Sequence, residues 1–269
     1  MLYGEFQNLI CEFKRISRKN WIPSVNKGSG SVGLTFENEL NKTADSLFFP
    51  DYNGIEIKST TRFSKFPFSL FSISFDGPTF PEINRLVDLY GYFDYKFNNK
   101  KILRVDLNTI EKTKTDNFSF KLFLDKDNNK LFLEVYDLSD KLIERKSFVY
   151  IDTIINRLDL KLRNLAIVHG SHKIINEIEY FRYYSLEAYK LRDTNLFLKL
   201  LEEGKIFVTL ESRIGKSGNN LGKYKNKNLV FKIKREYVND LFYNICSINT
   251  DYGINRMTNS NNSNFYIME

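Results

Sequence analysis

Residues 50–58, PDYNGIEIK, join a turn, a short strand and a set of ionisable side chains. Asn53-Gly54 is a favoured turn pair, and the isoleucines that alternate with polar residues after it predict a strand. Because side chains alternate between the two faces of a strand, Glu56 and Lys58 project to the same side. The turn is expected to fold the Asp51 carboxylate back beside Glu56. The segment therefore predicts two carboxylates and an ammonium group that converge at one end of a sheet.

The chemistry of this cluster suits a hydrated metal ion. Carboxylate oxygens are preferred ligands of Mg²⁺, which keeps several waters and a substrate phosphate in its octahedral shell. A lysine beside that shell orients an attacking water and offsets phosphate charge. Glu37, fourteen residues before Asp51 on a predicted helix, supplies an extra carboxylate. On spacing alone, an ordinary strand with an outward Glu56–Lys58 pair remains the alternative.

The composition is that of a globular protein with a large core. The chain has 269 residues, of which 42% are hydrophobic and 27% charged, so one large domain or two lobes is expected. Cys11 and Cys246 are too few for a disulfide framework or a cysteine zinc site, which favours a reducing compartment. No apolar stretch is long enough to cross a bilayer, and the N-terminus lacks a signal-peptide layout. We expect a cytoplasmic protein without a membrane partner.

The positive charge of the chain is concentrated in one segment. The net charge of +7 decides little by itself, because a sequence rich in Lys, Asn, Ile, Phe and Tyr also follows from AT-rich codons. Residues 205–235, which we call the basic segment, hold nine basic residues and one acidic residue, for a net charge of +8. The rest of the chain therefore carries −1. A solvated basic loop is the alternative, but this uneven distribution favours a nucleic-acid contact.

Three other features give little support for additional chemistry. GSGSVG at 28–33 has the spacing of a dinucleotide-binding loop, but no hydrophobic strand is predicted immediately before it. GKS at 215–217 resembles the end of a phosphate-binding loop, but Leu210 stands where the first glycine of that motif would be. His169 and His172 have no metal-ligand partners nearby in the sequence, so hydrogen-bonded or surface histidines are expected.

Periodicity and turn residues predict a strand-rich chain with about five helices, of the α+β or mixed α/β class. The helices are expected to be an amphipathic one near the N-terminus, one N-capped by Ser31, and others at 82–92, 151–162 and 195–203. The strands are expected at 55–58, 70–75, 102–107, 118–124, 131–136, 142–148, 165–168, 206–210 and 229–233. The Asn- and Ser-rich tail from residue 247 is expected to be loose.

Two stretches together resemble the MvaI/BcnI family of restriction endonucleases. They are KGSGSVGLTFENEL at 27–40 and PDYNGIEIKS at 50–59. Enzymes of this family belong to the PD-(D/E)XK superfamily and are related to the MutH-type nicking endonuclease of mismatch repair. The similarity extends over about residues 20–235. Its other segments are 131–137, 161–168, 173–174 and 204–215.

The resemblance implies the α/β (α+β) fold of a PD-(D/E)XK core, a mixed β-sheet flanked by helices, with two lobes that form a DNA cleft. Residues 1–160 are then mainly the catalytic lobe, 161–245 mainly the DNA-recognition lobe and 246–269 a polar tail, with approximate boundaries and room for interleaving. The resemblance also implies a bacterial monomer that uses Mg²⁺ and cuts double-stranded DNA. A cognate DNA methyltransferase would be encoded nearby.

The resemblance further implies a role for each candidate residue. Asp51 and Glu56 would bind Mg²⁺ together with the Ile57 backbone carbonyl. Lys58 would position the attacking water, and Glu37 would be an accessory carboxylate. The residues expected to bind DNA are Lys27, Ser29, Arg62, Arg213, Lys216, Asn219, Lys223, Tyr224, Lys225 and Lys227. The span 216–228 lacks the histidines expected from the family, which leaves the target sequence open.

Three functions are compatible with these expectations. The favoured one is a Mg²⁺-dependent type II restriction endonuclease that hydrolyses double-stranded DNA at a short site. The second is a MutH-like repair endonuclease that nicks one strand when a partner protein triggers it. The third is a DNA-binding protein with an inactive site, which is disfavoured because all the proposed catalytic positions hold chemically competent residues.

Overall fold

A computed structural model describes residues 4–28, 30–41, 49–61, 67–216 and 218–250, without the side chains of Asn219, Asn226 and Lys227. The described helices are α1 (Gln7–Arg18), α2 (Ser31–Glu39), α3 (Glu82–Tyr90), α4 (Ile151–Leu162), α5 (Thr194–Glu202) and α6 (Val238–Leu241). Short 3₁₀ turns lie at Gly4–Phe6, Gly218–Asn220 and Arg235–Tyr237.

The described strands form three sheets. The first eight strands are β1 (Ile22–Pro23), β2 (Glu56–Thr60), β3 (Phe68–Ile73), β4 (Tyr92–Phe93), β5 (Lys101–Leu107), β6 (Thr113–Lys114), β7 (Ser119–Asp125) and β8 (Lys130–Tyr136). The others are β9 (Leu142–Glu144), β10 (Phe148–Tyr150), β11 (Asn164–Ile175), β12 (Ile178–Leu191), β13 (Ile206–Ile214), β14 (Tyr224–Ile233) and β15 (Phe242–Asn249). The mixed α+β class predicted from the sequence is confirmed.

Sheet 1 has the order β1-β12-β11-β2, and β15 also pairs with β12. Its β2 strand runs parallel to β11 and lies at an edge of the sheet, whereas the β11–β12 pair is antiparallel. A two-residue turn joins β11 to β12, and both of its residues, Asn176 and Glu177, have positive φ angles. That geometry matches the right-handed twist of a hairpin.

Sheets 2 and 3 are built from antiparallel strands. Sheet 2 has the order β10-β8-β7-β6, with β9 beside β8, and sheet 3 has the order β3-β14-β13-β5-β4. The β13–β14 pair is a long hairpin that runs from Ile206 opposite Ile233 to Ile214 opposite Tyr224. This hairpin carries most of the basic segment.

Two hydrophobic cores hold the sheets together. The smaller core lies between one face of sheet 1 and the amphipathic faces of α1 and α2, where Phe13 and Phe36 are fully buried. The larger core covers the opposite face of sheet 1 and joins it to sheets 2 and 3. Ile57 contributes to the smaller core and Ile167 to the larger one, so sheet 1 is covered on both faces.

The structure corrects several predicted elements. The strand predicted over 142–148 is two short strands, β9 and β10, which are separated by residues 145–147, where Arg145 forms an ion pair with Glu134. The N-cap of α2 is Gly30, while Ser31 is the first helical residue. The prediction of a loose tail from residue 247 is wrong over 247–249, which belong to β15; residues 251–269 lie outside the described part. The long strand β12 was not predicted.

Two of the three sheets combine strands from both predicted lobes. Sheet 1 combines β2 from the 1–160 range with β11 and β12 from the 161–245 range, and sheet 3 likewise combines β3 and β5 with β13 and β14. A division of labour between a catalytic and a recognition lobe therefore stays a prediction. Among the described helices, none is sufficiently long and apolar to cross a membrane.

A buried ion cluster fastens α3 to sheet 2. Arg85 donates to Glu82 Oε1 at 2.9 Å and to Glu144 Oε2 at 3.0 Å, and both carboxylates are almost completely buried. Tyr90 donates a further hydrogen bond to Glu144 at 3.0 Å.

We expect Arg85→Ala to lower the free energy of unfolding by about 2–4 kcal/mol, because it leaves two buried carboxylates without their cation. Urea unfolding followed by circular dichroism measures this change. Arg163→Ala is the matched control, since Arg163 forms an exposed pair with Asp159 one helical turn away, and its unfolding midpoint should barely move. Equal midpoints for the two variants would contradict the assignment.

Candidate active site and basic surface

The β2 strand carries the ionisable residues of the 50–58 segment at the edge of sheet 1. Glu56 is paired with Leu165 of β11 and Lys58 with Ile167, in parallel register. Ile57 between them packs into the smaller core, so Glu56 and Lys58 lie on the opposite face. The predicted alternation along this strand therefore holds.

The turn before β2 brings Asp51 back to the strand. Tyr52 and Ile55 exchange two backbone hydrogen bonds of 2.9 and 2.8 Å, and both turn residues between them have positive φ angles. Asp51 Oδ2 accepts a hydrogen bond from the Ile57 backbone N–H at 2.9 Å. Because the N–H and C=O of a residue in an extended strand point to the same side, the Ile57 carbonyl is expected on this open edge too. The structure thus brings Asp51, Ile57 and Glu56 together as the sequence predicts.

Glu56 is the most unusual group of the cluster. Its side chain is 1% exposed, and its Oε1 atom lies 2.5 Å from Lys58 Nζ and 3.4 Å from Lys161 Nζ. Its Oε2 atom is buried and accepts no hydrogen bond from the residues that the structure describes. Burial raises the pKa of Glu56, the nearby Asp51 carboxylate adds to this effect, and Lys58 and Lys161 oppose it.

Lys161 is a member of the cluster that the sequence did not single out. It lies in the last turn of α4, three residues before the start of β11, and its side chain is only 12% exposed. The signal for it was indirect. Lys161 lies just before β11, and the parallel pairing of β11 with β2 places it at the end of β2 where Glu56 lies. That pairing was not predicted from the sequence.

The donor set fits a divalent cation of the Mg²⁺ type. Asp51 and Glu56 supply carboxylate oxygens, the Ile57 carbonyl supplies a third oxygen, and the buried Glu56 Oε2 lacks a hydrogen-bond donor among the described residues. Mg²⁺ is typically held by one or two carboxylates, with waters and substrate phosphates completing its shell. The described residues form no group of three or more carboxylate, histidine or cysteine side chains suited to a metal.

Glu37 lies on α2, a helix that packs against β2. The α2 helix packs on β2 and sheet 1, with Phe36 edge-on to the Tyr183 ring at 5.0 Å between centroids. Glu37 is half-buried, and its charge contributes to a raised pKa of Tyr183, which is caused first by burial. Its role as an accessory carboxylate stays a prediction.

The expected DNA-binding residues lie mostly at the free end of the β13–β14 hairpin. Arg213 is paired with Lys225, and Lys223 and Tyr224 are exposed beside them. Lys27 is exposed in the loop that precedes α2. Ser29 and Arg62, and the side chains of Asn219 and Lys227, lie outside the described residues.

Lys216 forms an ion pair with another residue of the chain at this surface. Its Nζ atom forms an ion pair with both carboxylate oxygens of Asp94, which is 2% exposed. Lys216, together with the backbone N–H groups of Lys96 and Phe97, holds the pKa of Asp94 below its usual value. The structure therefore places the Lys216 ammonium in an anchoring contact.

The two histidines behave as expected. His169 is buried with Nε2 3.5 Å from Glu187 Oε1, and His172 is exposed. Arg235 donates to both oxygens of Glu187 at 2.9 Å. Although burial alone would raise the pKa of Glu187, His169, Arg235 and the Tyr189 hydroxyl lower it to about 2. This cluster links sheet 1 to the end of β14.

Comparisons with known proteins agree with this architecture. A sequence model of the MvaI/BcnI restriction endonuclease family matches residues 10–242. The structure of the restriction endonuclease MvaI bound to its cognate DNA substrate is similar with a TM-score of 0.81 and 28% identity, over 90% of this chain and 98% of that chain. MvaI in the absence of DNA is similar with a TM-score of 0.56 and 25% identity, over 91% and 98%. A search of the curated proteins finds no match.

The Lys216–Asp94 ion pair predicts a stability difference between two lysines of the same surface. Lys216→Met leaves a buried carboxylate without its cation, so its melting temperature should fall below that of the unmodified protein. Lys223→Met removes an exposed lysine and should leave the melting temperature unchanged. Differential scanning calorimetry compares the two, and equal melting temperatures would show that Lys216 does not anchor this surface.

Proposed function

The chain belongs to the MvaI/BcnI restriction endonuclease family of type II site-specific nucleases, and from this premise we propose that Asp51, Glu56 and Lys58 form its cutting site. The substrate is double-stranded DNA, and the cofactor is Mg²⁺. Each strand is cut by hydrolysis of one phosphodiester bond within a short recognition sequence.

The observation that carries this proposal is the state of the Glu56 carboxylate. One of its oxygens contacts two lysines, and the other is buried without a hydrogen-bond donor among the described residues. Burial raises the pKa of Glu56, Lys58 opposes this effect, and the nearby negative charge of Asp51 adds to it. Two close carboxylates in a partly desolvated place are unfavourable unless a cation lies between them. A Glu56–Lys58 pair with only a structural role would not require the Asp51 carboxylate beside it.

Each residue of the proposed cutting site has its own role. Asp51, Glu56 and the Ile57 carbonyl hold the metal ion, which supplies charge stabilisation at the phosphate and acidifies a water when bound. Lys58, whose side chain is 27% exposed, keeps the attacking water oriented and offsets phosphate charge. Lys161 is a positioning residue, because its ammonium favours the ionised form of Glu56. Glu37 remains an accessory carboxylate in this scheme.

In this proposal the basic segment binds the DNA. Its charge of +8 meets the phosphates of the duplex, which dominate affinity in protein–DNA complexes. The arrangement of this chain is more similar to MvaI with its cognate DNA than to MvaI without DNA, at nearly equal coverage. This supports the view that the described arrangement is the one that holds DNA. The enzyme acts as a monomer in the bacterial cytoplasm, beside a methyltransferase that protects its site.

Digestion of plasmid and phage DNA tests the proposed function. We expect discrete fragments with Mg²⁺ and intact DNA with EDTA. Nicked circles that need a partner protein would favour the repair endonuclease instead. Intact DNA under all conditions would favour the inactive DNA-binding protein. A methyltransferase gene beside the coding sequence would further favour restriction over repair.

Lys58→Ala should reduce the cleavage rate at least about a hundredfold while binding of specific DNA in Ca²⁺ stays close to wild type. The reason is that Lys58 acts on the water and the phosphate charge after DNA is bound. Single-turnover cleavage and a gel-shift titration measure the two quantities. Lys199→Ala, on the exposed side of α5, is the control and should cut normally. Wild-type cleavage by Lys58→Ala would remove this residue from the site.

Neutralising Lys223, Lys225 and Lys227 to Gln should weaken DNA binding and lower the slope of log affinity against log salt by about 2–3, roughly one per lost phosphate contact. Neutralising Lys126, Lys141 and Lys199 changes the net charge equally at exposed positions elsewhere and should leave the slope nearly unchanged. Fluorescence anisotropy at several salt concentrations gives both slopes. Identical slopes for the two variants would place the hairpin outside the DNA interface.

A further inference from the structure

Residues 93–100, which we call the aromatic loop, lie beside the tip of the basic hairpin. Because β5 runs antiparallel to β13, the loop that enters β5 and the tip that follows β13 are at the same end of sheet 3. Lys100 Nζ donates to the Gly222 carbonyl at 2.5 Å, and Lys96 Nζ donates to the Lys216 carbonyl at 3.1 Å. The loop and the tip therefore form one continuous surface.

A buried carboxylate fixes the shape of the aromatic loop. Asp94 Oδ1 accepts backbone hydrogen bonds from Lys96 at 2.8 Å and Phe97 at 3.1 Å, and both Asp94 oxygens pair with Lys216 across the two loops. The Phe97 ring lies against Gly222 of the hairpin tip. The loop is thus held in one conformation by internal contacts.

This fixed loop presents aromatic rings to solvent. Tyr95 is 86% exposed and Phe93 is 60% exposed, and Tyr224 of the hairpin tip is 42% exposed. The Lys216 ammonium lies 4.0 Å from the centroid of the Tyr95 ring and supports it from one side. Exposed apolar groups that lie together and are rimmed by polar residues mark interaction surfaces, whereas single exposed rings are ordinary.

The positive charge around the rings indicates which class of partner this surface binds. Lys96 and Lys223 are exposed beside them, and the acid of the loop, Asp94, is already neutralised by Lys216. A second copy of the chain would bring two basic segments of net charge +8 against each other. Duplex DNA offers phosphates to the lysines, and sugars and base edges to the rings.

We propose that the aromatic loop is a second DNA-contacting element, in which Tyr95 packs against the sugars and base edges of the duplex beside the basic hairpin. Lys216 is then a positioning residue that holds Asp94 and Tyr95 in place. This inference rests on the proposed function, because it names a further contact of the same enzyme with its DNA.

The test compares Tyr95→Ala with Tyr243→Ala, which removes a 52%-exposed ring from β15, on the side of sheet 1 away from β2. The probe is a short duplex that contains the sequence cut by the wild-type enzyme, identified from the ends of digested phage DNA. Binding is measured in Ca²⁺ by fluorescence anisotropy at several salt concentrations. Melting temperatures check that both variants are folded.

Tyr95→Ala should bind about tenfold more weakly with an unchanged salt slope, since a neutral contact is lost. Tyr95→Phe should recover most of that affinity, and Tyr243→Ala should bind as wild type. Wild-type affinity of Tyr95→Ala would overturn the inference while the proposed function stands. A change of oligomeric state with unchanged DNA affinity would overturn it as well. A wild-type enzyme that binds no DNA would overturn both.

Discussion

The parallel pairing of β2 with β11 is the constraint on which the candidate active site depends. It sets Glu56 opposite Leu165 and Lys58 opposite Ile167, and it leaves the other edge of β2 open to Asp51. Parallel strands require a long crossover connection. Here the crossover spans residues 61–163 and contains all of sheet 2 and the strands β3, β4 and β5 of sheet 3. The cutting site is therefore fixed by the assembly of the whole molecule.

The electrostatics of the site follow from this placement. Packing of Ile57 into the smaller core forces Glu56 to the opposite face, where it is desolvated beside a second carboxylate. Lys58 and Lys161 compensate one oxygen of Glu56, and the other oxygen, which has no hydrogen-bond donor among the described residues, is the one proposed to face a cation. Two desolvated carboxylates close together destabilise a fold, but this is the arrangement that a metal-dependent nuclease requires. The Asp94–Lys216 pair has the opposite effect, because it neutralises an acid in the surface that is proposed to contact DNA phosphates.

The sequence was informative where local patterns determine structure. Asn53-Gly54 and the alternating isoleucines were sufficient to predict the turn, the strand and the convergence of Asp51 with Glu56. Long-range contacts were out of reach. Lys161 joins the site only because β11 pairs with β2, and β12 was missed because its hairpin turn is Asn176-Glu177, without the glycine that marks such turns. The charge count located the basic hairpin, but the ion pair of Lys216 with a residue 122 positions away is invisible in the sequence.

The Asp51–Glu56 pair is proposed to bind the divalent metal ion on which cleavage depends. Calorimetric titration of Ca²⁺ into the enzyme bound to its target duplex tests this claim without cleavage. We predict saturable binding for the wild-type enzyme and for Glu37→Gln, and loss of that binding in Glu56→Gln. Wild-type Ca²⁺ affinity in the Glu56→Gln complex would contradict the claim.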